Sequence, residues 1–505
     1  MSAILAQLPS AMLIGHHRPW PRARVDVEGW RHAARQLADG RWTLVGLWGE
    51  QHAVHMAVRD EAAKESCVLS VDCTDGRYPS VSQFHAPALR LERALQDLFG
   101  LIAEGLPDPR PWLDHGRWGV THPLASNEAS SGPRAPYRFL PAEGESLTEI
   151  AVGPVHAGTI EPGFFRFTAN GETVVRLEER LGYTHKGIEG LMADADLARG
   201  AQLAGRACGD STVAYTYAFA RAVEAALGLE VPSRAVWLRA LMAEIERVAN
   251  HFGDFGAICN DAAFAIMHAQ CAAVRERILR AANGCFGHRM MRDRIVVGGV
   301  ATDLSDAGRK ELLSLLDWIA KRVPRLIELY DHTASLQDRT VGTGILRAEL
   351  AQQYGCGGYV ARASGRSFDA RRDTPYAPYD RLRFEVPVLN EGDVNARVWI
   401  RIREIEQSLS LIRQILAELP DGVLRADIPP STGVSREGVA LVEGFRGDVL
   451  VWLRLNLDGT IARCHLRDPS WFQWPLLEAA IEGNIVADFP LCNKSFNCAY
   501  SGQDL

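Results

Sequence analysis

Residues 232–251 read PSRAVWLRALMAEIERVANH, and their spacing decides the larger part of the fold. Proline suits the first turn of a helix, where its missing amide donor is not needed. Trp237, Leu241, Ile245 and Val248 then follow at four- and three-residue spacing, the repeat of one helix face. Glu244, Arg247 and His251 also recur at three and four residues, so they share a face and are expected to brace neighbouring helices or a partner subunit. Downstream, the same periodicity predicts helices over 307–329, 398–419 and 471–485. The β-branched runs 439–442 and 448–455, joined by Gly444-Phe445-Arg446-Gly447, predict a β-hairpin. Upstream, 150–154, 163–167 and 173–177 read as strands, so this part is mainly helical with peripheral β-strands.

Nearer the N-terminus, apolar runs at 42–47 and 52–58 read as strands and 86–98 as a helix, which together make a small α/β unit. The stretch 123–145 is poor in periodic apolar residues and rich in Ser, Pro and Gly, the composition of a linker. The expected architecture is therefore α+β: a small α/β domain over 1–122, a linker over 123–147, and a large domain over 148–505. A chain of 505 residues, 47% hydrophobic, can bury the cores this requires.

Net charge is -7 and no dense Lys/Arg block occurs, which argues against a nucleic-acid partner. No uncharged apolar run approaches the roughly 20 residues of a membrane span, and the N-terminus lacks a basic and then apolar leader. The expectation is a cytoplasmic chain. Ten scattered cysteines do not form a disulfide framework, and no tight multi-Cys run would hold an iron-sulfur cluster. No Gly-x-Gly-x-x-Gly follows a strand, so direct NAD binding is unsupported.

Three separated segments carry a resemblance. The first is Gly182-Tyr183-Thr184-His185-Lys186-Gly187-Ile188-Glu189-Gly190-Leu191, followed by Arg206-Ala207-Cys208-Gly209-Asp210-Ser211. The second is Glu443-Gly444-Phe445-Arg446-Gly447-Asp448, and the third is Phe496-Asn497-Cys498-Ala499-Tyr500-Ser501. In order and spacing they resemble the large subunit of group-4 membrane-bound NiFe hydrogenases and formate hydrogenlyase, homologous to the 49-kDa subunit of complex I. Independently, Arg77-Tyr78-Pro79-Ser80-Val81, Glu92-Arg93, Asp97-Leu98-Phe99-Gly100 and Pro107-Asp108-Pro109-Arg110 resemble the complex I 30-kDa subunit.

The resemblance implies a 30-kDa-like domain fused to a 49-kDa-like domain. It implies an oxidoreductase subunit that receives electrons from an iron-sulfur small subunit, similar to the 20-kDa subunit of complex I, and passes them to quinone or another acceptor. It also implies a hetero-oligomeric complex with membrane-arm subunits, which would hold the chain peripherally at the cytoplasmic side of the membrane. Two alternatives stay open, a true NiFe hydrogenase with atypical ligands and a non-catalytic scaffold.

A nickel-iron centre needs four soft thiolates, and the family patterns are Arg-x-Cys-Gly-x-Cys and Asp-Pro-Cys-x-x-Cys. Here they read Cys208-x-x-Ser211 and Cys498-x-x-Ser501. A serine hydroxyl is a hard donor that stays protonated near neutral pH. The metal positions are therefore expected to be empty, with Cys208 and Cys498 as packed relics, and no cofactor is expected on this chain itself. By resemblance, Glu189 matches the carboxylate that moves protons from the hydrogenase site, and a buried carboxyl there could have a raised pKa. Arg446 matches the guanidinium above the metals, although either residue could equally form a structural ion pair. His156, in Gly153-Pro154-Val155-His156, matches a quinone-contacting histidine, with a turn-capping role as the plain alternative. His185 would share the face of Glu189 if that stretch is helical, and Arg362 and Asp369 belong to a polar loop expected to line the same cleft.

Overall fold

The computed structural model describes residues 2–8, 10–125, 128–129, 136–156, 160–430 and 433–505. The expected linker falls partly outside these residues.

The quoted stretch lies in one helix, Ser233–Asp261, with Pro232 as its N-cap. This helix packs against Ala265–Phe286 and Val394–Glu418, so it is covered by other helices and its charged face is buried. The apolar period over 307–329 runs through two helices, Asp306–Ala320 and Val323–Asp331. Pro324 lies in the first turn of the second one, where its missing amide donor is tolerated, whereas a continuous helix would need that bond.

The early strands are Thr43–Glu50, Ala53–Asp60 and Glu65–Asp72, in a five-stranded sheet completed by Arg22–Arg24 and Met12–Ile14. The helix Leu89–Phe99 covers this sheet. An antiparallel three-stranded sheet follows, from Leu147–Val152, Phe164–Asn170 and Thr173–Arg180. The predicted hairpin is Arg436–Gly444 paired to Gly447–Leu455, in register through Gly444 opposite Gly447, so Phe445 and Arg446 form a two-residue tip. Ile461–Arg467 extends it on one side, and His17–Arg18 pairs in parallel on the other.

That last pairing joins the two expected domains. One apolar core contains Trp30, Leu44 and Leu95 from the first 122 residues together with Phe165, Tyr359 and Trp474 from the rest. The N-terminal unit is thus packed into the larger one.

A glycine brings the start of the short helix Gly358–Arg362 against the hairpin tip. Gly358 has φ +69°, and a β-carbon there would lie 1.8 Å from the Arg446 carbonyl oxygen. Gly358→Ala is expected to cost roughly 2–3 kcal/mol through left-handed strain and the clash, read as a lower denaturation midpoint.

Among the described residues, no helix is long and apolar enough to cross a membrane.

Candidate functional site

Cys208 and Ser211 lie in the short connection between the helices Leu197–Ala204 and Thr212–Leu227. Cys498 and Ser501 follow the helix Phe489–Phe496, which ends at Asn497 in the left-handed region, φ 47°. The hairpin tip holds these distant segments together. Arg446 places two nitrogens on the two Asp210 carboxylate oxygens, each at 2.6 Å. It also donates to Ser211 Oγ at 3.2 Å, and its Nε donates to the Asn497 carbonyl at 2.5 Å. Cys208 Sγ lies 3.8 Å from the same guanidinium.

Gln473 supports the tip by donating to the Arg446 carbonyl at 2.8 Å, and Cys498 Sγ sits 4.0 Å from its Oε1. Behind Cys208, Tyr215 donates to Asp468 at 2.7 Å. Ser501 contributes its backbone amide to Glu161 at 3.0 Å. The structure therefore gathers Cys208, Asp210, Ser211 and Arg446, with Cys498 beyond Gln473.

Burial pushes both thiols well above the usual cysteine range, so Cys208 and Cys498 are protonated. Burial opposes ionisation of Asp210 as well, but the Arg446 pair outweighs it and holds this carboxyl at about 2. The cleft is thus a charge-paired guanidinium beside neutral thiols. Asp210 keeps 32% of its side chain exposed, so the pair reaches the surface.

Several sequence expectations are corrected. Residues 182–187 are not helical, and the helix begins at Ile188. His185 therefore does not share a face with Glu189. It stacks on Trp118 at 4.6 Å and lies 3.3 Å from the buried Asp504 carboxylate. Glu189 does not have a raised pKa. Burial works in that direction, but Arg463 at 2.7 Å, His465 at 2.9 Å and the Leu466 amide bring it to about 2.

Arg362 and Asp369 were expected to line the cleft, yet both are fully buried in a separate ionic cluster. Arg362 donates to Glu404 at 2.8 Å and to Glu443 at 3.0 Å. Asp369 pairs with Arg371, which reaches Glu244 at 2.9 Å. The helix face found in the sequence completes the cluster, with Arg247 on the Glu443 carbonyl at 2.9 Å and His251 on Glu404 at 2.8 Å. His156 Nε2 bonds the Gly163 carbonyl at 2.8 Å, which is the turn-capping contact. Residues 157–159 of that turn lie outside the described residues.

Residues 261–437 match the family described as respiratory-chain NADH dehydrogenase, 49 Kd subunit, and residues 23–133 the corresponding 30 Kd subunit. Residues 186–259 match nickel-dependent hydrogenase. The chain is 31% identical over 453 residues to formate hydrogenlyase subunit 5 of Escherichia coli K12, covering 86% of this chain and 78% of that protein. The chain belongs to the hydrogenase and complex I large-subunit family. A second relative, an NADH-quinone oxidoreductase subunit of Dehalococcoides mccartyi strain 195, is 31% identical, covering 67% of this chain and 93% of its own. A solved chain of the membrane-bound sulfane sulfur reductase (MBS), an archaeal respiratory membrane complex, superposes with TM-score 0.67 at 27% identity. That match covers 72% of this chain and 99% of the solved one.

The family relation makes a nickel-iron centre the group to test against these residues. Two of the four donor positions, Ser211 and Ser501, carry hydroxyls, which leaves two thiols, Cys208 and Cys498, where four thiolates are needed. Among the described residues, no three His, Cys, Asp or Glu side chains converge as a metal site. This donor set does not fit a four-thiolate centre.

The residues that sequence reading overlooked are Asp210, Asp468, Gln473 and His465. Asp210 could have been singled out, because an acidic residue between Cys208 and Ser211 would burden a thiolate pair with extra negative charge.

Proposed function

We propose that the chain is the large subunit of a membrane-associated oxidoreductase complex, formate hydrogenlyase-like or complex I-like. It receives electrons from an iron-sulfur small subunit and passes them to quinone or another acceptor at a cleft without a nickel-iron centre. Membrane-arm subunits hold it at the cytoplasmic face of the membrane. The observation that carries this reading is the Arg446–Asp210 pair, which sets a fixed positive charge against Cys208 and Ser211, where the family pattern has two thiolates.

Arg446 can donate hydrogen bonds to an acceptor oxygen or sulfur as negative charge builds on it, in a site whose dipoles are already oriented. Glu189, held ionised against burial by Arg463 and His465, contributes a fixed negative charge rather than a proton, and Cys208 and Cys498 line the cleft as neutral thiols. The names of relatives support a choice of acceptor, since they include a quinone oxidoreductase and a sulfane sulfur reductase.

The test is elemental analysis of the purified complex followed by assays with reduced viologen as donor. Nickel far below one atom per chain is expected, with electrons reaching a soluble quinone or polysulfide and no hydrogen evolved. Stoichiometric nickel with hydrogen evolution would establish the hydrogenase reading instead, and absence of turnover with every acceptor would leave a scaffold.

A further inference from the structure

The helix Phe489–Phe496 ends in a turn where successive carbonyls are each taken by a buried side chain from a different element. Arg401, on the helix Val394–Glu418, donates to the Ser495 carbonyl at 2.7 Å. Tyr359, on the helix Gly358–Arg362, donates to the Phe496 carbonyl at 2.7 Å, and the Arg401 guanidinium lies 3.6 Å from the centre of its ring. Arg446, at the hairpin tip, donates through Nε to the Asn497 carbonyl. Carbonyls at a helix C-terminus carry partial negative charge, so guanidinium and hydroxyl donors suit this end.

Asn497 aims the last of these carbonyls. It is left-handed, φ 47° and ψ 44°, a conformation that asparagine visits more readily than most residues and that proline, fixed at about −65°, cannot adopt. The Asp-Pro of the pattern Asp-Pro-Cys-x-x-Cys reads Phe496-Asn497 in this chain, so its turn takes a geometry that the pattern forbids. The Asn497 amide closes on the Asn493 carbonyl at 2.8 Å, a bond that proline also lacks. The Asn497 side chain is itself held. Its Nδ2 donates to Asp254 Oδ1 at 2.8 Å, and Arg401 Nε donates to Asp254 Oδ2 at 3.1 Å. Asp254 is thus shared between Asn497 and the arginine that holds the Ser495 carbonyl.

The consequence lies in the plane of the Arg446 guanidinium, whose N–H donors form a rigid fork. Nε takes the Asn497 carbonyl, Nη1 serves Asp210 and Ser211, and Nη2 gives one proton to Asp210. Among the described residues the second Nη2 proton has no acceptor, and the plane of the fork decides where it points. The Asp210 bonds alone let that plane tilt about the carboxylate, whereas the added anchor at Asn497 fixes it.

We propose that Asn497 is a positioning residue for Arg446: tied to Asp254, and through it to Arg401, its left-handed backbone fixes the plane in which Arg446 presents its remaining N–H to the acceptor. This rests on the reading of Arg446 as the donor to the acceptor in the cleft. The support is one chain of direct contacts, running from Arg401 through Asp254 and Asn497 to Arg446 and Asp210.

The test is a double-mutant cycle on the intact complex, with reduced viologen as donor and a soluble quinone or polysulfide as acceptor. Asn497→Gly keeps a residue at home in the left-handed region, so the turn and the fold persist while the tie to Asp254 is lost. It should slow turnover roughly 10-fold. The loss should fall on kcat with KM little changed, because the oriented N–H acts on charge that builds in the transition state. In the Arg446→Ala background the same change should add less than about twofold. A further loss of roughly 10-fold in that background would show that Asn497 acts independently of Arg446 and overturn the proposal. A wild-type rate in Asn497→Gly beside a slow Arg446→Ala would also overturn it, with the cleft assignment left standing. Failure of the underlying reading looks different: Arg446→Ala then keeps the wild-type rate, or no acceptor is reduced at all, and the proposal falls with it.

Discussion

Replacing Arg446 by alanine is expected to slow acceptor reduction by the intact complex about a hundredfold or more, the usual cost of losing an oriented donor at a reacting centre. The same change leaves the Asp210 carboxylate beside buried thiols without its counterion and cuts the tie to the Asn497 carbonyl. Arg446→Lys should fall between the two, since ammonium keeps the charge but cannot span both carboxylate oxygens and the carbonyl together. The pH dependence gives a second readout. In the wild type the guanidinium holds Asp210 at about 2, so ionisation of this group persists down to strongly acidic pH. Without Arg446 the burial that opposes ionisation is unmatched, and the Asp210 pKa should rise above its ordinary value. The residual activity of Arg446→Ala should therefore gain an inflection at mildly acidic pH that the wild type lacks. An alanine variant with unchanged rate and unchanged profile would remove Arg446 from the chemistry.

The sequence disclosed what depends on short separations. The helix around Leu241 was readable because three- and four-residue repeats are a local signal, and the hairpin because its two glycines bracket a tip between β-branched runs. The break at Pro324 was obscured by an apolar period that continues across it. Motif positions directed attention to Cys208, Glu189 and Arg446, but motif identity carries no information on pairing. Arg446 and Asp210 are 236 positions apart, and Glu189 and His465 are 276 apart, so neither contact leaves a local pattern. The expected rise in the Glu189 pKa failed for that reason: burial was anticipated, whereas the arginine and histidine that outweigh it come from a strand far along the chain. Arg362 and Asp369 were legible as a polar group and misplaced for the same reason, their partners being Glu404, Glu443 and Arg371.

The ionic cluster around Arg362 allows a paired prediction in which two glutamates respond in opposite ways. Four carboxylates, Glu244, Asp369, Glu404 and Glu443, face three guanidiniums, Arg247, Arg362 and Arg371, so one carboxylate lacks a full counter-charge. Glu404 is the well-matched member. Burial opposes its ionisation, but Arg362, His251 and Arg247 hold it well below the usual range. Its stabilisation is present above the unfolded pKa and is lost only as pH falls through the depressed folded value. Glu443 is the surplus member, raised to about 7 by burial and the Asp369 charge. Here the folded state holds a proton that the unfolded chain releases, so stability declines as pH climbs from the unfolded value near 4.3 toward 7. Glu404→Gln should therefore destabilise the chain at neutral pH by about 1.5–3 kcal/mol, because Arg362 and His251 lose their charged acceptor while Glu443 must ionise to rebalance the cluster. Glu443→Gln mimics the protonated form and should cost about 1 kcal/mol or less near pH 5. At pH 8 it should recover part of what the wild type loses through ionisation. Chemical denaturation of the full-length chain at pH 5 and pH 8 separates the two outcomes. Equal losses for both variants at both pH values would show that the surplus negative charge is not localised on Glu443.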